Sequence, residues 1–285
     1  MTSTADEARQ ALGLRLRELR RDAGITGRKI ADLAGWHESK VSKIEYGKQT
    51  PSEDDLRAWC THTGHPDELP DLIATVRNIR AAYLEFQRVL GTGTRRRQRT
   101  LVRTEGETTL MRWYEPSIIP GLLQTENYIR WILGRIIEFY GIPDDLDAGV
   151  SARIARQEVL YQRDHRFAFV IAEQTLRTTA WDNAVMVAQL DRLLTVMASM
   201  PHVTLRIVPA HARYEGPATN GFVLYDTRLV IVETASAELS ITQPREIAVY
   251  GRLFNTLVAQ SVGGDEARSL IASALEQRRA IPTKE

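Results

Sequence analysis

The sequence predicts a mainly α chain in two parts: a five-helix N-terminal domain over residues 1–90, and an α+β domain over residues 91–285 with a small, mostly antiparallel sheet. Three observations predict it. Apolar residues recur at helical spacing through the first 90 residues, runs rich in Val, Ile, Phe and Leu appear only after residue 165, and 285 residues exceed the usual size of one domain. A composition of 43% hydrophobic and 26% charged residues is that of a folded globular chain and excludes a disordered or fibrous one.

Within residues 8–23, Leu12, Leu16 and Leu19 fall at i, i+4 and i+7 while Arg15, Arg17, Glu18, Arg20 and Arg21 take the other faces, which makes an amphipathic helix. Gly24 ends it. Thr26 is placed to cap a short second helix carrying Ile30, Ala31, Leu33 and Ala34, and Gly35 with Trp36 forms a turn. A third helix spans residues 38–46, with Val41 and Ile44 inward, and stops at Gly47. Thr50, Pro51 and Ser52 break the chain before a fourth helix that runs through about Cys60. A fifth occupies residues 66–90.

Gly91, Gly93 and the basic run from Arg95 to Arg99 change the character of the chain, which places a boundary near residue 90. Beyond it, helices are expected over residues 95–113, 125–140 (capped by Thr125), 146–162, 183–199, 244–259 and 264–279. Gly106, Thr108 and Thr109 lower the helix propensity of the first of these. Strands are expected over residues 167–171, 203–208, 221–225 and 229–233, the last two close enough for a hairpin.

The formal net charge of +1 conceals an asymmetry, because residues 8–50 carry ten basic and five acidic side chains, the polarity that suits a polyanionic partner. The single cysteine, Cys60, excludes an internal disulfide framework and suits a reducing compartment. The first residues lack a charged segment followed by an apolar core, and no stretch approaches the roughly 18 apolar residues of a membrane span, so a cytoplasmic, nucleoid-associated protein with no membrane partner is expected.

Two short helices joined by a tight turn, the second polar outside and apolar inside, have the pattern of a helix-turn-helix, whose second helix enters the major groove of double-stranded DNA. The base-facing set is then Glu38, Ser39, Ser42 and Lys43. Lys43 suits guanine O6 and N7, Glu38 suits cytosine N4, and Ser39 is permissive. Phosphates fall to Thr26, Arg28, Lys29, His37, Lys40 and Lys48.

The residues Gly24-Ile25-Thr26, Ile30-Ala31, Gly35-Trp36 and Val41 to Gly47, followed by Pro51, carry a resemblance to the Cro/repressor (XRE-type) helix-turn-helix family over residues 10–62. That resemblance implies a structural pair between Glu45, near the end of the recognition helix, and Arg20 of the first helix. One departure is Gly27, where the family often has glutamine opening the second helix; Arg28 and Lys29 follow it.

In the second domain, the run from Trp113 to Tyr128, with Arg153 to Gln157, Phe169 to Glu173 and Val203 to Pro209, resembles the domain that follows such modules in actinobacterial WhiJ-like, antitoxin-like regulators. The resemblance, to developmental regulators, implies a small partner protein encoded nearby that acts through residues 91–285, and the reading is a transcription regulator that represses developmental or secondary-metabolism genes; because a single small module gives modest affinity, a homodimer on two half-sites about 34–36 Å apart is expected. An antitoxin-like interaction module that sequesters a small partner, and a small-ligand-sensing regulator, stand as alternatives. Partner or ligand contacts are expected among Trp113, Ile119, Leu122, Gln124, Tyr128, Arg153 and Arg156. For the apolar loop of residues 118–123 the favoured reading is core packing beneath a helix, and for Arg153, Arg156 and Arg163 a solvated helix face.

No catalytic pattern competes. His202 and His211 lack a metal-ligand spacing, Cys60, His62 and His65 want a fourth ligand, and Glu173, Glu215 and Glu233 come with no nucleophile elbow or phosphate loop. No enzyme activity, metal or cofactor is expected.

Overall fold

The computed structural model describes residues 4–79, 84–85, 91, 93–178, 182–213, 215–217, 219–235 and 237–280. The chain divides into two compact units, Met1–Tyr83 with Ser240–Ala248, and Leu84–Leu239 with Val249–Glu285. The boundary expected near residue 90 lies outside the described residues.

The first unit contains α1 (Thr4–Asp22), α2 (Gly27–Ala34), α3 (Glu38–Glu45), α4 (Glu53–Thr63), a 3-10 turn (Pro66–Glu68) and α5 (Leu69–Ile79). Local chemistry sets the ends. Thr26 Oγ1 accepts from the Lys29 amide at 3.1 Å at the start of α2, and Gly35 closes that helix in the left-handed region at φ 67°. Ser52 and Asp55 form a reciprocal capping box at the start of α4. The one-sided leucines of α1 meet Ile30, Val41, Ile44, Leu56 and Trp59 in a single buried core. Each such aliphatic side chain contributes about 1.5–3 kcal/mol through its burial. Trp59 is fully buried, and its one polar atom is satisfied: Nε1 donates to the Leu16 carbonyl at 3.0 Å, tying α4 to α1.

The fifth helix expected through residue 90 is described only to Ile79, and Leu84–Glu85 is a short strand, β1. Its backbone pairs antiparallel with residues 237 and 238. Hydrogen bonding to a strand distant in sequence outweighs the local helical periodicity here.

The second unit adds α6 (Thr94–Gly106), β2 (Leu110–Glu115), a 3-10 turn (Gly121–Leu123), α7 (Glu126–Tyr140), α8 (Leu146–Arg156), a 3-10 segment (Gln157–Tyr161), β3 (Arg166–Ala172) and α9 (Glu173–Arg177). It continues with α10 (Asn183–Ser199), β4 (Val203–Val208), β5 (Phe222–Tyr225), β6 (Leu229–Glu233), β7 (Ala237–Ile241), α11 (Pro244–Ala259), which also reaches into the first unit's span, and α12 (Gly264–Arg279). The strands lie in the order β1-β7-β6-β5-β2-β3-β4. The β2–β3 and β3–β4 pairs are parallel, whereas β2–β5, β5–β6 and β1–β7 are antiparallel.

The sheet is therefore mixed, not small and mostly antiparallel. The cause is β2, which takes over the end of the helix expected over residues 95–113, from Leu110 onward. Gly106, Thr108 and Thr109 end the helix early, and Met111 and Trp113 then alternate into the core as strand residues. With β2 in place, α7 and α8 form one helical crossover to β3, and α9 and α10 form another to β4; crossovers of that length return the chain parallel to its starting strand. Phe167, Phe169, Ile171, Leu190, Leu193, Leu205, Ile207 and Ile271 fill the core between sheet and helices. β7 escapes sequence reading because its segment is polar and its flank carries no hairpin signal. Residues 157–161, expected as continuing helix, tighten into the 3-10 form.

Among the described residues no helix is long and apolar enough to cross a membrane.

Candidate nucleic-acid interface

Helix α3 presents its polar residues outward and its apolar residues to the core. Glu38, Ser39, Ser42 and Lys43 are exposed, and Val41 and Ile44 are buried. Thr26, Arg28, Lys29, His37 and Lys48 are exposed as well. Glu38 pairs with Arg28 at 3.0 Å, but both side chains are largely in water, so either can leave the pair at little cost.

Two of these residues already serve the fold. His37 is the N-cap of α3: its Nδ1 accepts from the Ser39 amide at 3.2 Å and lies 2.8 Å from Ser39 Oγ. Lys40 turns away from the exposed set. Its Nζ donates to Asp55 Oδ1 at 2.6 Å and sits 4.6 Å from the centroid of the Trp36 ring. Burial pushes the Asp55 carboxyl up, yet the hydrogen bonds from Lys40 and Ser52 outweigh it and hold Asp55 below its ordinary value. Lys40 thus braces α3 against α4, a role that sequence reading missed because Asp55 lies fifteen positions away.

The orientation of α3 is held from α1. Arg20 donates to both Glu45 oxygens, at 2.5 and 3.0 Å, and to the Ile25 carbonyl at 2.8 Å. Gly13 lets the two helices approach: a Cβ there would stand 2.5 Å from the Glu45 carbonyl oxygen and 2.6 Å from that of Ile44. A Cβ at Gly47, at φ 67°, would stand 2.7 Å from the backbone nitrogen of Gln10. In sequence Gly13 is an ordinary helix residue, and only the helix crossing explains it.

In the second unit the residues expected to meet a partner or ligand divide into two groups. Ile119, Leu122 and Tyr128 are buried in the core beneath α7 and offer no protein-docking surface. Their loop is held by amide side chains: Gln124 Nε2 donates to the Ile119 carbonyl, Gln157 Nε2 to the Gly121 and Gln124 carbonyls, and Gln189 Nε2 to the Leu123 carbonyl. These bonds satisfy carbonyls that burial would otherwise strand. Thr125 stands at the N-cap position but makes no side-chain cap bond; its amide donates to Gln189 Oε1 at 2.7 Å.

Trp113, Gln124, Arg153 and Arg156 instead line a cavity of about 330 Å³. Arg156 is buried against Glu105, with Nε 2.8 Å from Oε2, and Arg153 Nη1 donates to Gln124 Oε1 at 2.8 Å. A solvated helix face describes neither. Burial reverses that expectation because α8 packs on α6, and the partners Gln98 and Glu105 lie on that helix, more than fifty positions away.

A helix-turn-helix domain family matches residues 11–72. A second family, described as a domain of unknown function (DUF5753), matches residues 98–273. The chain belongs to the DUF5753 family. No curated protein and no solved structure matches it. The DUF5753 match takes in every strand from β2 to β7 and the walls of the cavity from Gln98 onward. Among the described residues of this DUF5753 chain, no three His, Cys, Asp or Glu side chains are grouped to hold a metal; His202 bonds the Leu160 carbonyl, and Glu173 accepts from Arg177 and the Ala210 amide.

Proposed function

We propose that this chain is a sequence-specific DNA-binding transcription regulator. The observation that carries the reading is the exposed polar face of α3, braced from behind by Arg20 and Lys40 within a matched helix-turn-helix domain. Lys43, Ser39, Ser42 and Glu38 read base edges, Lys43 at guanine and Glu38 at cytosine. Thr26, Arg28, Lys29 and Lys48 hold phosphates at the N-terminus of α2 and beyond α3, with His37 contributing from its cap position. A single module of this size contacts few base pairs, so two copies on half-sites about 34–36 Å apart are needed for high affinity. The residues after the helix-turn-helix then form the dimerisation and sensing part.

Selection from a pool of random duplexes with the full chain, followed by titration of the enriched sequence, tests the reading. The double variant Lys43→Ala, Ser39→Ala should bind the selected duplex at least tenfold more weakly with an unchanged melting temperature, since one good base contact is worth about 1–3 kcal/mol. Equal affinity of parent and double variant for that duplex overturns the assignment of this face.

A further inference from the structure

The cavity of the second unit is built from α6, α7, α8, β2, β5, β6 and the loop before α7. Gly121 stands on its wall. A Cβ there would make ordinary contacts, 3.6 Å from Trp113 Cη2, 3.7 Å from Arg156 Nη2 and 3.9 Å from Arg153 Cζ, so a single point in this region lies within reach of two guanidiniums and an indole edge.

Three arginines line the space, and their counter-charges are unequally distributed. Arg97 is bound to the carboxylates of Glu233 and Glu238. Arg156 is bound to Glu105. Arg153 has only amide oxygens, Gln98 Oε1 at 3.3 Å and Gln124 Oε1 at 2.8 Å, and among the described residues it makes no ion pair. Its Nη2 makes no hydrogen bond among them either. Burial first, then the charges of Arg156 and Arg97, hold Arg153 below its ordinary value, with Glu233 and Glu105 acting the other way. Among the described residues Arg153 is thus the one guanidinium of the wall with no carboxylate in direct contact.

The remaining carboxyl on the wall does not supply that anion. Glu115 accepts from Trp113 Nε1 at 3.1 Å, and burial, reinforced by nearby Glu233, pushes it up to about 8, which leaves it protonated at neutral pH. An apolar part of the lining comes from Leu101, Ile132, Ile136, Phe222 and Ile231, beside polar Thr94, Ser117 and Asn220. A space of about 330 Å³ is on the scale that holds a small organic molecule.

We propose that this cavity binds a small organic monoanion, a carboxylate joined to an apolar body, with the carboxylate on Arg153 and the body against Trp113, Ile132 and Ile136. One guanidinium without a direct carboxylate partner offers a place for a single negative charge, and the apolar part of the wall favours an organic ion over a free inorganic one. Arg97 joins the cavity to its chain ends: it lies on α6, the first helix of the matched second domain, and grips β6 and β7 through Glu233 and Glu238. Occupancy therefore bears on β7, along which the chain passes into the DNA-reading unit, and this signalling role rests on the function proposed above.

The test uses the full chain with benzoate, indole-3-acetate and octanoate as probes, each beside its neutral amide, read by calorimetry and thermal melting. At least one acid should bind and raise the melting temperature while its amide does not. Arg153→Met should weaken that acid at least tenfold, and Arg153→Lys should restore part of the loss. Ile136→Trp, which fills the space without touching a charge, should abolish binding in a folded protein and guards against misfolding of the arginine variants. Binding of amide and acid with equal affinity, binding undiminished in Ile136→Trp, or no binding by any acid at millimolar concentration overturns the proposal. Titration of the selected duplex with and without the bound acid separates the two levels: an acid that binds and leaves DNA affinity unchanged removes the signalling role alone, and a chain that enriches no duplex removes the DNA reading alone.

Discussion

Arg20 and Glu45 are joined by two hydrogen bonds across the first unit, and the same guanidinium holds the Ile25 carbonyl, so one side chain fixes both the entry to α2 and the exit of α3. Both members are largely buried, with side-chain exposures of 11% and 7%. Removing Glu45 leaves Arg20 without its carboxylate, and removing Arg20 leaves Glu45 with only the longer contact to Arg17, whose Nε is 3.7 Å from Oε2. Arg20→Ala and Glu45→Ala are each expected to cost about 2–4 kcal/mol in denaturant unfolding, with the double variant losing less than the sum of the two. Additive losses would mean that the pair does not couple.

Gly13 is the second hold on α3. The Cβ of an alanine meets two backbone carbonyl oxygens, which cannot move aside without displacing the helix end. Gly13→Ala improves helix propensity by about 1 kcal/mol yet should lower stability by about 1–3 kcal/mol overall, the range for overpacked contacts. The same exchange at Gly106, where a Cβ meets nothing within 4 Å, serves as the control and should not destabilise. Thermal melting of the two variants measures the contrast.

Glu115 makes the stability of the second unit depend on pH. Its folded value of about 8 lies above the ordinary 4.5, so the folded state retains a proton that the unfolded chain releases. Stability from this group is complete below about 4.5 and is lost as pH rises through about 8. Glu115→Gln keeps the hydrogen-bonding shape and removes the titration. The melting temperature of the parent, relative to Glu115→Gln, should fall as pH rises from 5 to 8.5; parallel curves would show that the carboxyl does not titrate in that window.

The helix-turn-helix is legible in sequence because its determinants are local. Thr26 and Ser52 cap helices through groups three residues away, Gly35 supplies a left-handed backbone, and Leu12, Leu16 and Leu19 share a face by spacing alone. The strands β3 to β6 are legible for the same reason, as short apolar runs. β2 is not, since Leu110 to Glu115 follows a strongly helical segment and acquires its strand identity from β3 and β5 on either side. The candidate cavity is legible only in part. Trp113, Gln124, Arg153 and Arg156 stand out in sequence, whereas Arg97, Glu115 and Glu233 join them through the packing of α6 and the sheet.

The sequence by itself determined the helical N-terminal unit, its turn, the outward residues of α3 and the division of the chain into a helical and an α+β part, because these follow from periodicity and capping within a few residues. Tertiary structure alone decided the mixed sheet, the diversion of Lys40 to Asp55, the close approach at Gly13 and the seating of Arg153 against amide oxygens in place of a carboxylate. Each of those depends on which distant groups share a low-dielectric space, and neither spacing nor composition records that.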